Sequence, residues 1–196
     1  MPAIVKRSEL TLHSPVTVDF GFSGLEPKYA QAIMRDILRD SWPEQRRWKQ
    51  SVYSIRLVGE VAVHYPRSFS PVVYIGEGNA FGRIYNHVNW IVPLLLSVPQ
   101  LSIQVRVLEV ARRNNTKLYS YLEADLLRAF SDRYGALPWF NRQWERGREG
   151  VHTYEPAARK VIESMIEVGS GSKYVWAIRP THNNDQHEPY HKGICE

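Results

Sequence analysis

The sequence predicts a single domain of the α+β class, and three observations support this prediction. The chain has 196 residues, 43% of them hydrophobic and 23% charged, which suits one domain with its own core. Residues 51–58 and 101–110 alternate apolar and polar side chains and are rich in β-branched residues, as half-buried strands are. Residues 117–134 instead repeat apolar side chains at helical spacing.

The first 50 residues predict an N-terminal extension made of a strand or hairpin followed by a helix. Residues 8–22 alternate loosely, and Pro15 interrupts the pattern. Residues 27–40 carry apolar side chains at helical spacing. Pro27 suits the first turn of this helix, and Pro43 lies just beyond its end.

The middle of the chain predicts a hairpin and a second helix. Residues 51–58 and 72–75 read as its two strands, and residues 83–91 as the helix. No Gly-Lys-Ser or Gly-Lys-Thr follows the glycines between them, so a phosphate-binding loop is excluded. We interpret these as turn glycines: Gly76, Gly78 and Gly82.

The rest of the chain predicts a strand over 101–110, a helix over 117–134 and a helix over 156–168. Gly135 is placed to end the first of these helices. A final strand over 173–178 precedes a polar tail. The predicted order is strand, helix, strand, strand, helix, strand, helix, helix, strand.

Composition excludes several classes of protein. A single cysteine, Cys195, cannot build a disulfide framework or a cysteine-based zinc site. The longest apolar stretch, residues 90–98, contains Pro93 and is far shorter than a membrane span. We therefore expect a cytoplasmic protein with no membrane partner. A net charge of +5 favours polyanionic partners.

Five residues of the predicted strands and helices carry groups suited to phosphodiester hydrolysis. Tyr53 and Tyr74 fall on neighbouring strands, Arg83 and His87 lie one helical turn apart, and Glu123 lies in a helix. A carboxylate can hold a divalent metal, an arginine can grip phosphate oxygens, and a tyrosine or histidine can move a proton. Taken singly, each of these residues is more often an ordinary packing or surface residue than a catalytic one.

The order of these groups resembles the GIY-YIG nuclease family, which is named after two short strand motifs. The second motif is intact as Tyr74-Ile75-Gly76, and Arg83 follows after a loop, with His87 four residues later. A glutamate-bearing helix with Glu123 and a terminal Asn141 complete the family's order.

The resemblance covers residues 51–142 and includes departures, among them a long stretch between His87 and Glu123. The first motif reads Ser51-Val52-Tyr53, which keeps the tyrosine and lacks the glycine. The 20 residues between Tyr53 and Tyr74 make a hairpin longer than the family minimum. The resemblance implies a small, mostly antiparallel central sheet flanked by helices, with residues 1–50 and 143–196 as extensions of a single domain.

The resemblance also implies roles for the site residues. Glu123 would bind one Mg²⁺ or Mn²⁺, and Arg83 would stabilise charge on the phosphoryl oxygens. Tyr53 or His87 would be the general base, and the sequence leaves that choice open. The implied catalytic residues are Tyr53, Tyr74, Arg83, His87, Glu123 and Asn141.

The implied activity is a divalent-metal-dependent endonuclease, and its compact layout indicates a restriction-type enzyme acting on double-stranded DNA. A restriction role would imply a homodimer, because cutting both strands of a symmetric site is most simply done by two chains. Two basic clusters are candidates for contacts with the phosphate backbone: Arg112, Arg113 and Lys117, and Arg142, Arg146 and Arg148.

Two alternatives remain open at this point. The chain could be a nucleic-acid-binding module without catalysis, or a structural or interaction domain whose motif match is accidental. In the second case, Tyr53, Tyr74, Arg83 and Glu123 would not converge. A possible transition-metal cluster in the polar tail consists of His182, Asp185, His187, Glu188 and His191.

Overall fold

The computed structural model describes residues 4–19, 24–42, 48–98, 101–111, 117–143, 147–168 and 173–180. These residues form four α-helices and mostly antiparallel strands, which confirms the α+β class. The helices are α1 (Pro27–Ser41), α2 (Ala80–Ser97), α3 (Leu118–Tyr134) and α4 (Pro156–Glu163). The strands are β1 (Ile4–Val5), β2 (Leu10–Leu12), β3 (Val16–Asp19), β4 (Ser51–Val58), β5 (Val61–His64), β6 (Phe69–Ser70), β7 (Val72–Gly78), β8 (Ser102–Val110), β9 (Thr153–Tyr154) and β10 (Trp176–Ile178).

The central sheet has five strands, with β4 between β7 and β8. Both pairings are antiparallel, so the predicted antiparallel pairing of β4 with β7 is confirmed, but β5 and β6 lie between them in the chain and the two do not form a simple hairpin. On the far edge, β2 and β3 both pair with β8 and do not form a hairpin with each other. Leu12 pairs with Leu108 and Val16 with Val105, so one extra residue is accommodated around Pro15. The N-terminal segment is therefore a bulged edge strand.

Alternation along β4 directs neighbouring side chains to opposite faces of the sheet. The Tyr53 hydroxyl forms a hydrogen bond with His87 of α2 on one face. On the other face, Ser54 Oγ donates to the carbonyl oxygen of Met165, just after α4. Arg56 on the same face as Ser54 donates to the carbonyl oxygen of Val168. Helical structure thus covers both faces, and β4 is buried along nearly its whole length. This arrangement places the N- and C-terminal extensions against one common core.

Two predicted helices differ in length from the observed ones. Helix α2 begins at Ala80, three residues earlier than predicted, because the Asn79 side chain accepts a hydrogen bond from the Gly82 amide. It continues past Pro93 to Ser97, and Leu95 beyond the proline is buried. Burial of that apolar face outweighs the backbone hydrogen bond that Pro93 removes. Helix α4 ends at Glu163 rather than 168.

A second, three-stranded sheet was not predicted. The long connection between β4 and β7 contains β5 and β6, and β10 pairs with β5 in parallel. Strand β10 covers only the second half of the predicted strand over 173–178. Strands β1 and β9 form a further parallel pair. The predicted polar tail lies outside the described residues, as do its histidines and Cys195.

Candidate active site

Gly76 brings the two motif tyrosines together. It pairs with Tyr53 across β4 and β7, and the Tyr53 ring passes directly over it. A Cβ at Gly76 would lie 2.6 Å from the Tyr53 hydroxyl oxygen and 2.7 Å from Tyr74 Cε1. The rings of Tyr53 and Tyr74 are centred 5.9 Å apart. The prediction that Gly76 is a turn glycine is wrong, because it lies within β7 at a close approach of side chains.

Ser51 shows how the first motif is built without its glycine. The Ser51 side chain is buried, and its Oγ lies 2.8 Å from the Gly78 carbonyl oxygen and 3.2 Å from that of Trp48. The hydroxyl is therefore satisfied by backbone acceptors inside the sheet. Strand β4 keeps regular pairing with β7 from Ser51 to Ile55, which sets the position of Tyr53.

Helix α2 brings Arg83 and His87 to the two tyrosines. Arg83 lies in its first turn and His87 one turn later. His87 Nε2 is 2.9 Å from the Tyr53 hydroxyl oxygen, and its ring is centred 4.5 Å from that of Tyr74. Arg83 Nη2 is 3.5 Å from the Tyr74 hydroxyl oxygen. We call Tyr53, Tyr74, Arg83 and His87 the tyrosine cluster.

Trp90 is a member of this neighbourhood that sequence reasoning missed. Its Nε1 donates a hydrogen bond of 3.0 Å to His87 Nδ1. Its ring stacks on Phe140 with centroids 4.0 Å apart. The available signal was the spacing, because a residue three positions after His87 lies on the same face of a helix.

Asn141 connects the segment that follows α3 to β7, the edge strand of the central sheet. Its Oδ1 accepts from the Ile75 amide at 2.9 Å, and its Nδ2 donates to the Ile75 carbonyl oxygen at 2.7 Å. The Phe140 amide also donates to the Val73 carbonyl oxygen. These contacts hold the middle of the Tyr74-Ile75-Gly76 motif.

The cluster is electrostatically unusual at two positions. Burial raises the pKa of the Tyr53 hydroxyl above its ordinary 10.0, and Tyr74 raises it further while the Arg83 charge opposes the shift. Burial, together with the Arg83 charge, lowers the pKa of His87 from 6.5 to about 4. At neutral pH His87 is therefore an uncharged imidazole, and Tyr53 holds its proton firmly.

Arg83 and Glu123 carry opposite charges and interact electrostatically. Burial lowers the pKa of Arg83, but Tyr53, Tyr74 and Glu123 raise it by more, so its pKa lies above the ordinary value. Glu123 is on α3 and is only 6% exposed. Helix α3 packs on β7 and β4, and the Glu123 carboxylate raises the pKa of both Arg83 and Tyr53 as the smallest cause of each shift.

The donor set determines which metal these residues fit. Across the residues that the structure describes, no three His, Cys, Asp or Glu side chains are grouped as metal ligands. One carboxylate beside phenolic oxygens fits a hard cation such as Mg²⁺ or Mn²⁺, which keeps several water ligands.

The predicted DNA-binding residues are only partly described. Lys117, Arg142 and Arg148 are exposed, and Arg148 Nη1 lies 3.2 Å from the Ser120 hydroxyl. Arg112, Arg113 and Arg146 lie outside the described residues. None of the helices in the described ranges has the length and apolar character of a membrane span.

No family model, no curated protein and no solved structure matches this chain. The chemistry of the site is therefore inferred from its own side chains.

Proposed function

We propose that this protein is a divalent-metal-dependent endonuclease of the GIY-YIG type that hydrolyses phosphodiester bonds in DNA. The observation that supports this most is the tyrosine cluster itself, whose four side chains come together from two strands and one helix. The Glu123 carboxylate adds an electrostatic effect on Arg83. The alternative of an accidental motif match predicts that these side chains lie apart.

Arg83 supplies the fixed positive charge of the proposed site. It is exposed enough to meet a phosphate, and the tyrosine hydroxyls and Glu123 keep its guanidinium charged. A guanidinium can donate two parallel hydrogen bonds to phosphoryl oxygens. Negative charge that develops on those oxygens in the transition state is stabilised by such a preorganised donor.

Glu123 would hold the metal ion in the proposed enzyme. When bound, Mg²⁺ or Mn²⁺ polarises a phosphoryl oxygen and lowers the pKa of a bound water. A single nearly buried carboxylate leaves most coordination positions to water and substrate, which suits phosphate as a ligand.

Tyr53 and His87 form the proton-handling part of the site. Their hydrogen bond of 2.9 Å joins two groups that could each orient or deprotonate the attacking water. The Tyr74 ring packs against the rings of Tyr53 and His87. Its hydroxyl accepts a hydrogen bond from Arg83 and so orients the guanidinium.

Double-stranded DNA is the substrate we favour, with restriction-type cutting by a homodimer. The net charge of +5 and the exposed Lys117 and Arg142 support contact with a phosphate backbone. A symmetric site cut on both strands is most simply served by two copies of one active site.

Plasmid cleavage tests this proposal. Supercoiled plasmid and linear duplex are incubated with Mg²⁺ or with EDTA, using the wild type, Glu123→Gln and the control Glu163→Gln, an exposed residue of α4. We expect discrete fragments from the wild type and the control with Mg²⁺, and none with EDTA or from Glu123→Gln.

Two other outcomes would contradict the proposal. Intact DNA in every lane, together with a salt-sensitive gel shift, would favour the non-catalytic nucleic-acid-binding module. Intact DNA without any gel shift would favour a structural or interaction domain.

A further inference from the structure

His87 is fixed by hydrogen bonds at both ring nitrogens. Trp90 Nε1 lies 3.0 Å from Nδ1, and the Tyr53 hydroxyl oxygen lies 2.9 Å from Nε2. An indole nitrogen can only donate, so Nδ1 must accept. A tyrosine hydroxyl can donate or accept, and it adapts to whatever Nε2 presents.

These contacts select one protonation state of His87. An Nδ1–H imidazole and a doubly protonated imidazolium both place a proton on Nδ1, opposite the Trp90 N–H. The remaining state has its single proton on Nε2. In that state Nδ1 accepts from Trp90 and Nε2 donates to the Tyr53 hydroxyl oxygen, so both contacts are satisfied.

We propose that Trp90 is a positioning residue that holds His87 as the Nε2–H tautomer and thereby keeps it a hydrogen-bond donor to Tyr53. This inference rests on the proposed nuclease function for its catalytic meaning. With Nδ1 occupied by Trp90 and Nε2 carrying a proton, neither nitrogen of His87 has a lone pair for a proton from water. His87 therefore does not act as the general base, and its Nε2–H orients the Tyr53 oxygen.

Trp90 is itself held in place from outside α2. Its ring stacks on Phe140 at an interplanar angle of 26°. The backbone amide of Phe140 donates to the Val73 carbonyl oxygen at 2.9 Å. The indole therefore lies between His87 and Phe140, which is fastened to the edge strand, and its N–H is oriented by packing as well as by the helix.

Two further features support the same assignment. Burial and the Arg83 charge favour an uncharged His87, so the neutral ring that the hydrogen bonds require is also the electrostatically preferred one. A donor placed on a phenol oxygen stabilises the phenolate relative to the phenol. The His87 N–H thus offsets part of the penalty that burial imposes on ionising Tyr53.

The test reads the tautomer directly. Long-range ¹H–¹⁵N NMR correlations of ¹⁵N-labelled protein at pH 7 distinguish the two neutral tautomers and the imidazolium of His87. We expect the Nε2–H form alone in the wild type. Trp90→Phe keeps an aromatic ring against Phe140 but removes the N–H, and we expect it to give a mixture of tautomers.

The matched control is Trp139→Phe, which changes an exposed neighbouring tryptophan that also packs on Phe140. It is expected to leave the His87 spectrum unchanged. An Nδ1–H ring or an imidazolium in the wild type would overturn the inference, and so would an unchanged tautomer in Trp90→Phe. The wild-type spectrum decides the tautomer even if the variant fails to fold.

Single-turnover cleavage then separates this inference from the function on which it rests. We expect Trp90→Phe to bind duplex DNA as the wild type does and to cleave it about ten-fold more slowly, the loss typical of one hydrogen bond in a reacting cluster. An unchanged rate would overturn the positioning role. No cleavage by the wild type would contradict the proposed function, while the NMR result would still decide the tautomer.

Discussion

Gly76 is the residue on which the geometry of the tyrosine cluster depends most closely. Its missing side chain leaves the space that the Tyr53 ring occupies. We expect Gly76→Ala to cost about 1–3 kcal/mol of folding free energy through overpacking. It should also abolish cleavage, because Tyr53 and Tyr74 must move apart. Urea unfolding and the plasmid assay measure the two effects.

Gly82 provides the matched control for this change. It lies in the first turn of α2, where a Cβ would meet Asn79 at an ordinary contact distance of 3.6 Å. Gly82→Ala should therefore stabilise the fold by about 0.4–1 kcal/mol. Equal effects of the two substitutions would show that Gly76 has no special packing role.

His87 should make the fold sensitive to acid. The folded protein takes up the proton with a pKa of about 4, whereas the unfolded chain does so near 6.5. The unfolded state thus binds more protons between these values, and stability is lost as the pH falls from 6.5 toward 4. This pKa shift corresponds to a loss of about 3 kcal/mol in the free energy of unfolding. Solvent screening at this half-buried ring reduces the loss to roughly 2 kcal/mol.

The measurement is urea unfolding at pH 7 and pH 4.5 for the wild type and His87→Gln. The variant lacks the titrating ring, so it should lose less stability over this interval. The same loss in both proteins would exclude His87 as the source of acid sensitivity.

At the residue scale, the sequence could supply the identities of the cluster but not its contacts. Tyr53, Tyr74, Arg83 and His87 were identified from their types and order, and the structure brings them together. The importance of Gly76 depends on a ring from another strand, so tertiary packing determines it. Trp90 was recognisable only by its spacing from His87.

At the scale of elements, Asn141 substitutes for a neighbouring strand on the edge of the central sheet. Its side chain satisfies both backbone groups of Ile75 in β7. We expect Asn141→Ala to cost about 1–3 kcal/mol, because two backbone groups lose their partners. Asn89→Ala removes one exposed contact with Arg35 and should change stability by about 0.5 kcal/mol or less.

Chemical unfolding of these two variants tests the role of Asn141. Amide hydrogen exchange at Ile75 adds a local measurement, since the amide should exchange faster in Asn141→Ala. Unchanged stability and protection would contradict a buttressing role.

Long elements with a clear period were predictable, and short ones were not. Strands β4 and β8 and helices α1 and α3 match their predicted positions closely, because each is long enough to show its period in the sequence. The segments β5, β6 and β10 have two to four residues, too few to show a period. Their pairing is decided by contacts far apart in the chain, as that of β10 with β5 is.

At the scale of the whole molecule, the predicted extensions are parts of the core. The N-terminal strands β2 and β3 complete the central sheet, and Met165 and Val168 accept hydrogen bonds from β4. The sequence separated these segments because the resemblance covered only residues 51–142. Strand β4 is buried on both faces, so the sheet needs the N- and C-terminal segments to complete its cover.

The basic character of the chain predicts salt-dependent binding of DNA. Each phosphate contact releases counterions, so affinity falls steeply as salt rises. We expect Arg142→Gln to weaken duplex binding and to lower the salt slope by about 1. Lys160→Gln on α4 lies outside the predicted basic clusters and should leave the slope unchanged. Equal slopes for the wild type and Arg142→Gln would exclude a phosphate contact at Arg142.

The central claim is that the tyrosine cluster performs hydrolysis, and single-turnover cleavage of one duplex by Tyr53→Phe tests it most directly. The substitution removes one oxygen and leaves the ring over Gly76. Tyr154→Phe is the control, since its hydroxyl bonds Asp125 instead of the cluster. We expect Tyr53→Phe to bind DNA normally and to cleave about 10²–10⁴-fold more slowly, while the control cleaves at the wild-type rate. Equal rates for Tyr53→Phe and the wild type would contradict the claim.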